Sequence, residues 1–95
     1  MVIAYGTNKN WRWDGSREVV EFMVFDEARP ILCCVSRECI EENFGNPEGP
    51  EACLDAAKAR FDPITDLVGA MISAGRFEPD GSILIRMLDW PHRSQ

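Results

Sequence analysis

The stretch VVEFMVF-DEARP-ILCCVS, from Val19 to Ser36, consists of two apolar runs joined by a polar pentapeptide. Such runs, separated by a short polar connection, are typical of a β-hairpin. In a strand, alternate side chains point to opposite faces of the sheet, so each run divides into two rows. Both rows are mostly apolar here. A sheet with one face in water usually alternates apolar and polar residues more cleanly, so something should cover the second face.

The two rows differ in what is available to cover them. The first row contains Val20, Phe22, Val24, Ile31, Cys33 and Val35, and the second contains Val19, Met23, Phe25, Leu32 and Cys34. Further along the chain, apolar residues step by three and four in a helical stripe: Leu54, Ala57, Phe61, Ile64, Val68 and Met71. That stripe covers one row, and we expect the second row to remain without a cover inside the chain.

Helix signals follow the hairpin directly. A short helix over 37–44 begins after the N-cap Ser36, and a longer helix over 50–74 begins at Pro50. Pro63 interrupts the longer helix, because proline lacks the amide proton and clashes with the preceding turn. We therefore expect a kink or two abutting helices, roughly 51–61 and 63–74, with Asp62 as the second N-cap.

Shorter elements complete the predicted fold. Residues 1–5 form a short strand, residues 82–88 form the last strand, and residues 89–95 form a tail. The prediction is a single α+β domain over 1–95, in the order β-β-β-α-α-β. Its helices pack on one face of a small antiparallel sheet that is centred on the hairpin 19–36.

Charge and cysteine content limit the function classes. The net charge is −6, and residues 37–66 contain eight acids against three bases. An acidic surface repels phosphate backbones, so nucleic-acid binding is disfavoured, although dispersed arginines could still form a local basic face: Arg12, Arg17, Arg29, Arg76, Arg86 and Arg93. No apolar run approaches the length of a membrane span, and the start of the chain lacks a signal-peptide pattern. We expect a cytoplasmic protein.

The four cysteines favour packing over chemistry. Cys33, Cys34, Cys39 and Cys53 form no Cys-x-x-Cys pair, and adjacent strand residues point to opposite faces. A structural zinc site needs four placed ligands, and disulfides are rare in a reducing compartment. We expect buried thiols that act as small hydrophobic groups, and neither a metal ion nor a cofactor.

Groups able to act together in catalysis are scarce. His92, the only histidine, lies three residues before the last residue. Glu38 and Glu42, like Asp62 and Asp66, lie four apart on a helix, a spacing that could hold a divalent cation or make two carboxyls ionise unequally. The neighbouring pairs Arg37 with Glu41 and Asp55 with Lys58 favour an ordinary charged helix surface instead. Phosphate-binding loops and nucleophile elbows are missing from the sequence. We expect a non-enzymatic protein with no catalytic residue.

The aromatic cluster Trp11-Arg12-Trp13 leaves two interpretations open. If the segment is extended, both indoles lie on one side and Arg12 on the other. In the first interpretation Trp13 closes one end of the core while Trp11 lies against the surface. In the second, Trp11 and Trp13 form an aromatic contact patch for another protein.

Two functional hypotheses follow. The leading one is a module that forms a homodimer or docks on another protein through the second row, which is Val19, Met23, Phe25, Leu32 and Cys34. In water, this row would form an apolar patch larger than soluble monomers normally expose. The alternative is a small-ligand regulatory module with a pocket between sheet and helices, near Trp13 and Phe61.

The chain also resembles a family of small bacterial proteins described as domain of unknown function 1488. The similar residues are Trp13-Asp14, Val20, Phe22, the segment 35–40, Leu54, Asp62, Ile64, Gly75-Arg76 and the run 83–88. The resemblance implies a compact α+β fold of this length and implies no activity.

Overall fold

A computed structural model describes residues 3–90 of the chain. Its strands are β1 (Ile3–Ala4), β2 (Arg12–Asp14), β3 (Val19–Asp26), β4 (Arg29–Ser36) and β5 (Ile83–Ile85), and its helices are α1 (Arg37–Asn43), α2 (Pro50–Lys58) and α3 (Phe61–Ser73). Two short 3-10 turns span Asn8–Asn10 and Met87–Asp89. The α+β class is confirmed. Strand β2 was not predicted, and the split of the long helix into α2 and α3 was one of the two expected outcomes.

The hairpin forms the centre of the sheet. Strands β3 and β4 pair antiparallel along their whole length, from Val19 opposite Ser36 to Asp26 opposite Arg29. The connection is therefore two residues long, shorter than the pentapeptide that the sequence suggested. Pro30 lies inside β4 opposite Phe25, one pair beyond the turn. Pairs alternate between hydrogen-bonded and non-hydrogen-bonded in an antiparallel ladder, so this position requires no amide proton from proline.

The two turn residues both have left-handed backbones. Glu27 has φ 52° and Ala28 has φ 80°. A two-residue turn with two positive φ angles matches the right-handed twist of a hairpin, and Asn-Gly or Asp-Gly normally fills it. Glutamate and alanine at these positions carry backbone strain, which the long strand pairing has to offset.

The sheet is mixed, which corrects the antiparallel sheet expected from the sequence. Its order is β1-β3-β4-β5, with β2 also pairing β3, and β5 runs parallel to β4. The three helices connect β4 to β5, and such a crossover returns the chain to the end of the sheet where β4 began. The last strand, predicted over 82–88, is shorter than expected, because it ends at Ile85 and the 3-10 turn Met87–Asp89 follows. The sequence carries no signal for its direction.

The predicted N-cap of α1 is confirmed, because the Ser36 side chain accepts a hydrogen bond from the Cys39 amide at 3.1 Å.

The helix boundaries near Pro63 differ from the expected ones. The break between α2 and α3 falls at Ala59 and Arg60, not at Asp62. Pro63 is the third residue of α3, where an amide has no partner inside the helix, so it fits without breaking a hydrogen bond.

The core lies between the helices and one face of the hairpin, which we call the inner face. Its residues from the sheet are Val20, Phe22, Val24, Ile31, Cys33 and Val35, and its helical residues include Ile40, Ala57, Ile64, Val68 and Met71. All four cysteines are free and buried, as predicted. Burial raises the pKa of the Cys33 thiol to about 12 and that of Cys39 to about 11, so both remain protonated at neutral pH.

The expected tail begins later than the sequence suggested. Asp89 accepts a hydrogen bond from the Arg86 amide at 2.9 Å, and the ring of Trp90 packs edge-on against Phe44 with centroids 4.9 Å apart. Both residues belong to the folded part of the chain. Residues 91–95, with His92, lie outside the described residues.

The strained turn generates a stability prediction. Ala28→Gly should raise the free energy of unfolding by about 0.5–1 kcal/mol. Glycine relieves the strain of a left-handed backbone at alanine, and its greater freedom in the unfolded state cancels part of that gain. The control is Ala70→Gly at an exposed position of α3, which should lower the free energy of unfolding by about 1 kcal/mol. Urea denaturation measures both, and a destabilised Ala28→Gly variant would contradict the assigned turn.

Candidate functional site

The candidate site is the outer face of the sheet, which is the face of β3 and β4 turned away from the helices. It carries the second apolar row of the hairpin. Met23 and Phe25 are each 44% exposed, and Leu32, opposite Met23, is half-buried. These three residues lie together, as the sequence predicts, and they form the apolar centre of the site.

The other two members of the predicted row, Val19 and Cys34, are not exposed, so the exposed part of the expected interface is smaller than the sequence suggested. Val19 is 5% exposed and Cys34 is fully buried. The Arg17 side chain, from the turn between β2 and β3, lies beside the Cys34 thiol. Burial raises the pKa of Cys34, and the positive charge of Arg17 acts in the opposite direction. The approach of Arg17 to Cys34 is a contact between residues 17 positions apart, and a strand pattern alone does not show it.

A groove runs along the edge of this apolar centre, and it results from a mismatch in strand length. Ala4 pairs with Phe25 and Arg12 with Glu21, so three residues of β3 face seven residues of the segment 5–11. The excess forms the 3-10 turn Asn8–Asn10 and leaves a cavity of about 540 Å³. Met23 and Phe25 line it on the β3 side, and the segment 4–7 lines it on the other.

One ion pair borders the groove on the outer face. The Arg12 Nε donates to the Glu21 Oε2 at 2.6 Å, between directly paired residues of β2 and β3. The Arg12 side chain is 77% exposed, whereas that of Glu21 is only 12% exposed. Sequence reasoning did not find this pair, although a signal existed. Glu21 is the single charge in an otherwise apolar row of β3, and such a residue requires a cation from a neighbouring strand.

The predicted aromatic patch does not form, because Trp11 belongs to the core. The Trp11 ring is stacked on Phe22 with centroids 4.1 Å apart and an angle of 12° between the planes, and it also contacts Phe61. Trp13 is half-buried on the same inner face, opposite Val20. Both indoles do point to one side with Arg12 on the other, as the alternation predicts. The interpretation that left Trp11 at the surface is wrong.

A smaller cleft lies on the inner side of the β2–β3 turn. Its volume is about 290 Å³, and Trp13, Arg37, Gly49 and Cys53 are among its lining residues. The expected ligand pocket near Trp13 therefore has a counterpart at the start of α2. Phe61 packs against Trp11 instead of lining this cleft.

Arginines within the described residues do not form an unneutralised basic face. Four of the six candidates lie in ion pairs: Arg12 with Glu21, Arg29 with Asp26, Arg76 with Asp89 and Arg86 with Glu78. Arg17 lies close enough to Asp14 and Asp80 to lower the pKa of both carboxyls, whose main stabilisation comes from hydrogen bonds with Ser16 and Ser82. Arg93 is outside the described residues.

The part of the chain that the structure describes offers neither a metal site nor a membrane-spanning helix. Between residues 3 and 90, no group of three or more His, Cys, Asp or Glu side chains is arranged to hold a metal ion. The helices described there are all too short or too polar to cross a bilayer. Glu38, Glu42, Asp62 and Asp66 are exposed on the solvent side of α1 and α3.

Comparison with known proteins gives one family and one solved structure. The model of a family described as protein of unknown function (DUF1488) matches residues 7–85. The chain is also similar to a protein of unknown function from the DUF1488 family of Shewanella loihica PV-4, known from a crystal structure. The TM-score is 0.79 at 17% sequence identity, over 87% of this chain and 90% of that one. A search of curated proteins gives no match. The resemblance seen in the sequence is confirmed, and the solved structure supports the fold alone.

The cover over Cys34 generates a second prediction. Arg17→Ala should open the outer face above this thiol, so the rate constant for alkylation of the Cys34 thiolate by iodoacetamide should rise above that of the wild type. Because burial raises the pKa of Cys34 while the charge of Arg17 acts to lower it, the rate is followed over a pH series, which separates access to the thiolate from its fraction. Peptide mass spectrometry identifies the modified residue. The control is Arg29→Ala, which removes an exposed arginine at the other end of the hairpin and should leave the rate constant of Cys34 unchanged. Equal rates in the wild type and Arg17→Ala would show that another group covers the thiol.

Proposed function

This chain belongs to the DUF1488 family of proteins of unknown function, and we propose that it is a non-enzymatic protein-interaction module that self-associates through the outer face of its sheet. The single observation that carries the proposal is the exposure of Met23 and Phe25. Both are large apolar side chains, each 44% exposed, beside a groove that apolar and polar residues line together. Apolar surface that stays in water costs free energy in proportion to its area, and docking removes that cost.

Charge favours a second copy as the occupant of this face. Arg12 and Glu21 lie next to the apolar centre, Asp14 and Arg17 lie further along the same face, and the four charges balance. The helical side, in contrast, contains eight acids against three bases in residues 37–66. Two acidic surfaces repel each other, so two copies of the chain meet most favourably through the balanced outer face.

We also propose that the module acts in the cytoplasm as a homodimer. Four free thiols in one small chain suit a reducing compartment. A chain of 95 residues also has a modest core, and burial at a dimer interface would add to its stability.

One observation favours the alternative function, a small-ligand regulatory module. The cleft of about 290 Å³ brings the Trp13 ring and the Arg37 guanidinium to the start of α2. A thermal-shift screen with a metabolite collection tests it. A metabolite that raises the melting temperature of the wild type, and does so less for Trp13→Ala, would support the ligand module.

Self-association is tested with a charge placed in the apolar centre. Wild type should sediment as a dimer at high micromolar concentration. Met23→Glu should weaken dimerisation by at least about thirtyfold, because the interface would bury an unpaired carboxylate. Analytical ultracentrifugation over a concentration series gives the dissociation constants.

The matched control is Leu88→Glu, which removes another exposed apolar side chain (89% exposed) and adds the same charge away from the sheet face. It should dimerise like the wild type. Circular dichroism and thermal unfolding check that both variants are folded. A wild type that remains monomeric at high micromolar concentration would refute the proposal.

A further inference from the structure

We infer that the two copies are related by a twofold axis along the boundary between β2 and β3, so that Arg12 of each copy binds Glu21 of the other. This inference rests on the proposed function, because it specifies the arrangement of the dimer. It is carried by the shape of the outer face and by the register of the two strands.

The shape of the outer face is self-complementary about such an axis. Met23 and Phe25 form a ridge on β3, and the groove beside it runs between that ridge and the segment 4–7. A ridge and a parallel groove exchange places when the surface is turned about an axis between them. The ridge of each copy then enters the groove of the other, as an isologous interface requires.

The strand register places the charges on either side of the same axis. Arg12 and Glu21 are directly opposite each other on β2 and β3, so the rotation sets Arg12 of one copy against Glu21 of the second copy. Within one chain, the Arg12 Nε already donates to Glu21. The two terminal amino groups of the guanidinium remain for the second carboxylate, and arginine donors in this planar fork suit carboxylate oxygens.

An axis between β3 and β4 would give a poorer match. It would set Met23 against Leu32 of the second copy, since these residues pair across the hairpin. The row that contains Arg12, Glu21, Cys34 and Leu84 would then place Arg12 over Leu84 and Glu21 over Cys34. Each charge would lie against an apolar partner in a desolvated interface, which is costly.

Two charge-reversal variants test the arrangement. Arg12→Glu and Glu21→Arg should each lose dimer affinity by about tenfold or more when measured alone, because like charges then meet twice across the axis. In a 1:1 mixture every contact between positions 12 and 21 of different copies is again Glu with Arg. The mixture should therefore form a heterodimer with affinity near that of the wild type, and native mass spectrometry and ultracentrifugation detect it.

Repulsion inside each chain does not explain such a rescue, because mixing leaves the intrachain contacts unchanged. If either reversal prevents folding, Arg12→Cys and Glu21→Cys replace them. A mixture of these two variants should form an interchain disulfide between positions 12 and 21 on mild oxidation, in higher yield than either variant alone. Cys34 lies directly opposite position 21 on β4, so both variants also carry Cys34→Ala, which removes the one natural thiol that could form an intrachain disulfide with the cysteine introduced at position 21. The other three natural thiols are buried in the core and do not compete.

The possible failures can be told apart. Single reversals that dimerise like the wild type, or a mixture that associates no better than its components, would overturn the twofold arrangement. The proposed self-association would still stand if Met23→Glu breaks the wild-type dimer. A wild type that is monomeric would overturn both.

Discussion

The uninterrupted pairing of β3 with β4 is the constraint on which the rest of the structure depends. Eight residues of each strand are in register, from Val19 opposite Ser36 to Asp26 opposite Arg29. Because side chains alternate along a strand, this one register decides which residues face the helices and which face outward. A shift of β4 by one residue would turn Ile31, Cys33 and Val35 outward, so the row that the helices pack against would be broken up.

The other elements pack on the inner face of this hairpin or pair with one of its two edges. The helices cover the inner row, β5 extends the sheet beside β4, and β1 and β2 share the free edge of β3. The groove arises at that shared edge, where the chain between β1 and β2 is longer than the part of β3 that it spans. The strand register therefore determines where the candidate site lies in the fold.

The alternation of apolar residues was sufficient to predict the hairpin, its two rows and the helical cover. It also predicted that Met23, Phe25 and Leu32 share an exposed face. It did not predict the burial of Val19 or that of Cys34. Arg17 lies beside the Cys34 thiol through a turn whose path is decided by tertiary packing. Likewise, the buried position of Trp11 depends on the rings of Phe22 and Phe61, which come from distant parts of the chain.

The hairpin tip has a consequence for how the chain folds. A good two-residue turn lets a hairpin form early from local contacts, but Glu27 and Ala28 must both adopt left-handed backbones that disfavour closure. The turn is therefore a weak nucleus. The strands gain stability mainly when the inner row meets the helices, which requires contacts between residues far apart in sequence. We expect a rate-limiting step in which sheet and helices condense together, so that substitutions at Ile64 or Val68 slow folding as much as substitutions in the hairpin.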